Sequence, residues 1–383
     1  MATTKKKIAY ISGTRADFGI MTAILEAIRQ HPALDLQLYA TGVHLTPGFG
    51  TTYRMIQKLF SRTKLIRASF QSDDFFGVAR FSGQFISKLV SIFSKDRPDF
   101  VLLLGDRPEQ LCVALVCLYL GIPAGHFRGG EVSSTFDETA RHAITKLASL
   151  HFPATKEAAK RIEKMGEEKW RIHTVGEASL DVILHQPLPS REAVLKFLGL
   201  AAGQKFILLT QHPVSYELAD TSQQIRETIK AVKAIGLPVV VTYPHADAGG
   251  RKIILEIERE RDNSLFKIFP SLEYKLFLAL EREAAVWVGN SSGALVESSS
   301  FATPVVNIGT RQKGRQRGGN VLDVGYDQDE IIVAIKKSLA LSYLAKLKRL
   351  KNPWGDGKTG KRVAEIIGNL TIDNKLLNKQ IAY

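Results

Sequence analysis

The chain is poor in cysteine: Cys112 and Cys117 are the only two in 383 residues. Both fall in one apolar helical stretch, and their spacing turns them to different helix faces. That excludes a disulfide between them and a metal site built on them. They read as buried free thiols of a reducing compartment. Long apolar runs are missing too. The longest uncharged one, residues 111–125, is too short to span a bilayer and contains Gly121 and Pro123. Lys5-Lys6-Lys7 ahead of residues 8–11 begins like a secretory signal, but Gly13-Thr14-Arg15-Ala16-Asp17 interrupts the apolar core that a signal needs. A soluble, cytoplasmic protein without stable membrane insertion is expected. No low-complexity tract, solenoid-period repeat, dinucleotide fingerprint or P-loop occurs.

Negative charge is also scarce. Lys and Arg number 52 against 38 Asp and Glu, a net charge of +14. The basic residues gather at 156–171, 311–317 and 346–351. Neither interleaved stacking aromatics nor a reading helix accompanies them, so nucleic acid is not the expected partner. A polyanionic small ligand such as a nucleotide diphosphate accounts for one cluster. The others read as solvated faces that help solubility and steering.

What the sequence does have is alternation. Strand-like runs at 8–11, 36–40, 100–104, 122–126 and 150–153 are separated by amphipathic segments at 17–30, 79–93, 109–120 and 138–148. After Pro187-Leu188-Pro189, a stiff linker, the pattern restarts with runs at 206–210, 239–242, 267–268, 286–288 and 305–308. This βαβ alternation predicts an α/β protein of two Rossmann-like domains with a central cleft, the default place for a site. The expected boundaries are 1–186 for an N-terminal domain carrying catalytic acids and 187–360 for a C-terminal, nucleotide-binding one. The helix and tail at 361–383 are free to cross back to the first domain.

Titratable residues crowd the points where strand-like runs end, and in open parallel sheets those carboxyl ends are where ligands bind. Gly105-Asp106-Arg107 follows one run; Gly129-Gly130-Glu131 and Asp137-Glu138 follow the next, before Arg141-His142-Ala143-Ile144-Thr145-Lys146. Several carboxylates around a sugar-sized space suit proton abstraction and delivery, with mutual repulsion raising one pKa. Metal binding is the competing use, but no Asp-x-Asp pair is present and arginines already supply positive charge, so a site without metal or cofactor is expected. Gly13 to Gly19 forms a glycine-cornered turn after the first strand. It reads either as plain turn geometry or as an anion site in which free helix N–H groups and Arg15 hold phosphate. In the second half, Ser291, Ser292 and Gly293 can cap a helix or hold a phosphate with the same donors, and Glu297 lies close enough to take ribose hydroxyls. Arg311, Arg315 and Arg317 follow in a Gly- and Gln-rich loop. His212, in Gln211-His212-Pro213 at a strand end, is either a phosphate contact and acid or a satisfied loop residue. His142 either lines the site or packs against its own helix.

These motifs together resemble the hydrolysing UDP-N-acetylglucosamine 2-epimerase family, which feeds sialic-acid and legionaminic-acid synthesis. The carriers are Gly13-Thr14-Arg15-Ala16-Asp17-Phe18-Gly19, Gly105-Asp106-Arg107, Gly129-Gly130-Glu131, the run 137–146, Gln211-His212-Pro213, Asp247-Ala248-Gly249-Gly250-Arg251, Asn290-Ser291-Ser292-Gly293 and the arginine loop. The resemblance spans residues 8–357. It implies a GT-B fold, a UDP-sugar substrate, a homodimer, and elimination of UDP to a 2-acetamidoglycal followed by hydration. It implies catalytic roles for Asp106, Glu131, Asp137 and His212. Substrate contacts would fall to Arg15, Arg107, His142, Ser291, Ser292, Gly293, Glu297 and Arg315. Pro108 and His245 depart from the family pattern and put in question which sugar is used: N-acetylglucosamine or a 2,4-diacetamido-trideoxy sugar. A GT-B glycosyltransferase and a UDP-sugar sensor without turnover are the other readings. The number of acids argues against the first, and no visibly damaged motif supports the second.

Overall fold

A computed structural model describes residues 5–46, 52–68, 70–72, 74–133, 137–244 and 248–383. His245 and Asp247, singled out above, lie outside the described residues. The chain divides into two units, each wound around its own parallel sheet. The first gathers residues 1–131, 136–185 and 354–383; the second is built on residues 186–353.

The first sheet holds β1 (Lys6–Ser12), β2 (Leu34–Ala40), β3 (Lys64–Leu65), β4 (Phe100–Leu104), β5 (Ala124–Phe127) and β6 (Leu150–Phe152), in the order β3-β2-β1-β4-β5-β6. Alternate residues of each central strand feed opposite cores, as the period of two requires. Ile8, Tyr10, Phe100 and Leu102 join one cluster, and Ala9, Ile11, Val101 and Leu103 join the other. Both faces are covered, which is why these strands read as continuous apolar runs. The first cluster takes in Val363, Ala364 and Ile367 of helix Thr359–Gly368, so the end of the chain completes the first unit's core. A Cβ on Gly360 would stand 2.7 Å from the Ala23 carbonyl oxygen, so glycine is what permits this helix to lie against helix Arg15–Gln30.

The second sheet contains β7 (Ile207–Thr210), β8 (Val239–Thr242), β9 (Phe266–Phe269), β10 (Val286–Gly289), β11 (Val305–Ile308) and β12 (Val321–Val324). Its order, β12-β11-β10-β7-β8-β9, repeats the first sheet's winding. In both sheets the strand order reverses beside the first strand of the unit, which places the switch points at the ends of β1 and β4, and of β7 and β10.

Two strands escaped the sequence reading. β3 is two residues long and β12 is half-exposed, both at sheet edges where no continuous apolar run is needed. Helix 79–93 in fact spans Phe75–Lys95, because the Asp74 carboxylate accepts from Gly77 N at 2.6 Å and starts it a turn early. No helix among the described residues is long and apolar enough to cross a membrane.

Candidate active site

At the carboxyl end of β1 the chain turns through Gly13 and enters helix Arg15–Gln30 by a capping box. Thr14 Oγ1 accepts from Asp17 N at 3.2 Å, while Asp17 Oδ2 accepts from Gly13 N and Thr14 N, both at 2.9 Å. The expectation that this turn's free N–H groups await an anion is corrected in part: three of them already bond inside the box. What the turn keeps for an anion is Arg15. Its Nη1 is buried without a hydrogen-bond partner among the described residues, and burial pushes its pKa down to about 10. A buried guanidinium of this kind is stabilised by an anionic partner.

Below the turn lies a polar cluster that the motifs did not reveal. Ser12 Oγ donates to Asp17 and lies 2.8 Å from His44 Nε2, and His44 Nδ1 lies 2.7 Å from Thr52 Oγ1. Burial raises Asp17 to about 7, against the hydrogen bonds that favour its charge. Burial lowers His44 to about 3, so it stays neutral. Glu109 is fully buried; Arg107 Nε donates to its Oε2 at 3.3 Å. Glu109 Oε1 would stand only 2.4 Å from a Cβ on Gly13 and 2.8 Å from one on Gly42, so both glycines make room for it.

β4 ends in the turn Gly105-Asp106, with φ +68 at Gly105, and helix Pro108–Leu120 follows. β5 leads into Gly129-Gly130-Glu131, and Asp137 opens helix Asp137–Leu147. Arg141, buried in that helix, ties these pieces together: its Nη2 donates to the Asp106 carboxylate and its Nη1 to the Glu131 carbonyl at 3.0 Å. The structure therefore joins Asp106 to the backbone of Glu131 through a residue the sequence had offered only as part of a motif. His126, inside β5, supports the same corner. Burial pushes it down to about 3. Neutral His126 donates from Nε2 to the Gly105 carbonyl at 2.7 Å, and its Nδ1 lies 3.1 Å from the Thr145 hydroxyl oxygen. His142 pairs instead with Glu138 one turn back at 3.3 Å and is half-buried. That contact is with its own helix.

In the second unit, β7 leads into Gln211-His212-Pro213 and β10 into Asn290. The Asn290 side chain clamps the backbone of His212: Oδ1 accepts from its N–H at 2.7 Å and Nδ2 donates to its carbonyl at 2.9 Å. The Asn290 carbonyl in turn accepts from Gln312 at 2.9 Å and Arg311 at 3.2 Å, and Arg315 Nη1 donates to Gln312 Oε1 at 2.9 Å. The arginine loop is thus anchored to the end of β10, with Arg315 buried. Ser291 occupies the N-cap position of helix Ser292–Val296, yet its side chain makes no cap hydrogen bond. The capping explanation for Ser291 falls away, since the hydroxyl is not spent on the helix. Glu297 is buried beside Gly293: a Cβ there would meet Glu297 Oε2 at 2.9 Å and the Trp287 ring at 3.2 Å. Tyr274 donates to Glu297 Oε1 at 3.4 Å. The helical stretch after β10 is broken at Glu297 into Ser292–Val296 and Ser298–Phe301.

Comparison with known proteins bears on what these corners serve. Residues 26–368 match the family model described as UDP-N-acetylglucosamine 2-epimerase. The chain is 34% identical to the UDP-N,N'-diacetylbacillosamine 2-epimerase (hydrolyzing) of Legionella pneumophila, over 99% of this chain and 100% of that one. It is 33% identical to a UDP-N-acetylglucosamine 2-epimerase of Neisseria meningitidis, over 95% of each. Among solved structures, the Methanocaldococcus jannaschii UDP-GlcNAc 2-epimerase in complex with UDP-GlcNAc and UDP aligns with a TM-score of 0.77, at 20% identity over 94% of this chain and 99% of that chain. At that identity the likeness is one of fold, and it agrees with the two-sheet GT-B class expected from the sequence.

Proposed function

The chain belongs to the UDP-N-acetylglucosamine 2-epimerase family, and from that premise we propose that it is a hydrolysing 2-epimerase of a UDP-2-acetamido sugar, with UDP-N-acetylglucosamine the first candidate. The observation that carries this reading is the corner where buried Arg141 ties Asp106, at the end of β4, to Glu131 beyond β5. A fixed carboxylate held against loss of position is what proton transfer at a sugar carbon needs.

The reaction runs in two stages. UDP leaves C1 with the bonding electron pair while a base takes the C2 proton, giving a 2-acetamidoglycal. Water then adds its oxygen to C1 and a proton returns to C2 from the other face, so the free sugar carries the inverted C2. No carbonyl is adjacent to C2 to acidify its proton, so departure of the diphosphate leads and its stabilisation is a main task of the site. Arg15, with its buried guanidinium, suits that task in the first unit, and Ser291, Ser292, Gly293 and Arg315 suit it in the second. Glu297 suits the ribose hydroxyls. Asp106, Glu131 and Asp137 are assigned the proton transfers and His212 a supporting acid. The contact of His142 with Glu138 gives it the weakest claim of the set.

A second reading concerns the sugar. The relatives from Legionella pneumophila and from Campylobacter jejuni, the latter 34% identical over 84% of this chain, carry names of diacetylbacillosamine 2-epimerases. This favours a 2,4-diacetamido-trideoxy sugar as the alternative substrate. Incubating the protein with each UDP-sugar and following UDP and free sugar by chromatography separates the two. UDP with N-acetylmannosamine supports the first reading, and turnover of the diacetamido substrate alone supports the second. UDP binding with turnover of neither contradicts both.

A further inference from the structure

The last residues of the chain end in a network that no step of the proposed reaction uses. Helix Asn374–Leu377 is capped by Asp373, which accepts from Leu376 N at 2.9 Å. Fully buried Arg171 donates to the carbonyls of Lys375 and Leu376 at 2.8 Å and of Asn378 at 3.0 Å. The same guanidinium reaches the Ser149 carbonyl at 3.1 Å, just past helix Asp137–Leu147. Trp170 is flanked by the Arg171 guanidinium, 4.2 Å from its ring centroid, and the Lys375 ammonium at 5.0 Å.

Lys379 then turns back to the acid-bearing helix. Its ammonium donates to the carbonyls of Thr145 at 3.1 Å and Ala148 at 2.9 Å, and it pairs with Glu167 at 2.8 Å. Carbonyls at the end of a helix have no amide donors of their own, and a cation there also answers the negative end of the helix dipole. Fully buried Glu167 binds Lys146 of the same helix at 2.7 Å and His151 of β6 at 2.9 Å. From Thr145 the chain of contacts passes to His126 and the Gly105 carbonyl, and one turn earlier Arg141 holds Asp106.

We propose that the C-terminal segment is a positioning element of the acid corner, in which Lys379 and Arg171 fix the end of helix Asp137–Leu147 so that Arg141 keeps Asp106 in place. The assignment of Asp106 to catalysis comes from the proposed function, and this proposal rests on that reading. Lys379 is a positioning residue, since among the described residues its ammonium bonds the Thr145 and Ala148 carbonyls and the Glu167 carboxylate, all groups of the scaffold.

Lys379→Met and Lys379→Arg in the full chain test it. In the methionine variant, amide exchange across residues 137–147 rises about tenfold or more and kcat falls by a similar factor, while UDP affinity stays within about twofold. Arginine, which donates to the same carbonyls, restores both. Unchanged exchange in that helix, or an arginine variant as impaired as methionine, overturns the proposal. Amide exchange needs no turnover, so failure of the epimerase reading and failure of this one are told apart. Should methionine not fold, Lys379→Gln keeps a donor and drops the charge. It gives smaller changes in the same direction, and no change overturns the proposal as well.

Discussion

Arg15 is the residue on which the anion argument turns. A buried guanidinium nitrogen without a partner among the described residues is stabilised by a diphosphate, so Arg15→Met weakens UDP binding by about 10- to 100-fold, read by calorimetry. Asp106→Asn keeps size and a contact to Arg141 but removes one of the carboxylates proposed for the proton transfers. Turnover falls by about a thousandfold or more while UDP binding survives, and loss of UDP binding in a folded variant would take Asp106 out of the reaction. Two of the buried histidines give a pH signature. His44 and His126 are each lowered from 6.5 to about 3 by burial, so between those values the unfolded chain binds more protons than the folded one. Stability therefore falls as pH drops from 6.5 toward 3. Asp17, raised to about 7 from 3.8, works in the opposite sense across pH 4 to 7, because there the folded chain binds the extra proton. The test is accordingly a difference: the Tm of the wild type declines more steeply below pH 6.5 than that of His126→Asn, and equal slopes would exclude His126 as a source.

At the scale of elements, the turns matter more than the strands they end. The Thr14–Asp17 box starts helix Arg15–Gln30 and uses up three amides, leaving Arg15 as the turn's charge. Thr14→Ala is expected to cost about 1 kcal/mol in denaturant unfolding, with the strand β1 unaffected. The sequence made these turns visible because glycines and acids stand where apolar runs stop: Asp106, Glu131 and Asp137 were found at the loop after β4, the loop after β5 and the start of the next helix. Central strands were legible for a related reason, since burial on both faces demands unbroken apolar runs. β3 and β12 were not, because edge strands are held by backbone pairing and need little apolar character. Arg141, His126 and Glu109 carry no signal of their own in one sequence. Each acquires its part only when a helix face or strand face turns it toward Asp106, Gly105 or Gly13. The capping box at Thr14 and Asp17 was readable from spacing, and it is what corrects the free-amide picture of that turn.

At the scale of the whole molecule, two units of the same winding each end their first and fourth strands in polar corners, and the family places the chain among enzymes named for C2 inversion of a UDP-sugar. The first unit is closed by residues from the end of the chain: Ile367 is fully buried in its core. Ile367→Ala is expected to lower stability by about 2–5 kcal/mol in urea unfolding, a loss that truncating an exposed tail would not produce. The central claim is chemical, that the C2 proton is exchanged with solvent as UDP is released. Proton NMR of the protein with UDP-N-acetylglucosamine in D₂O tests it most directly, run beside the 2,4-diacetamido sugar. The account predicts free 2-epimerised sugar carrying deuterium at C2, with one UDP released for each molecule formed. Product that retains its C2 proton, or a 2-epimer still bonded to UDP, would contradict it.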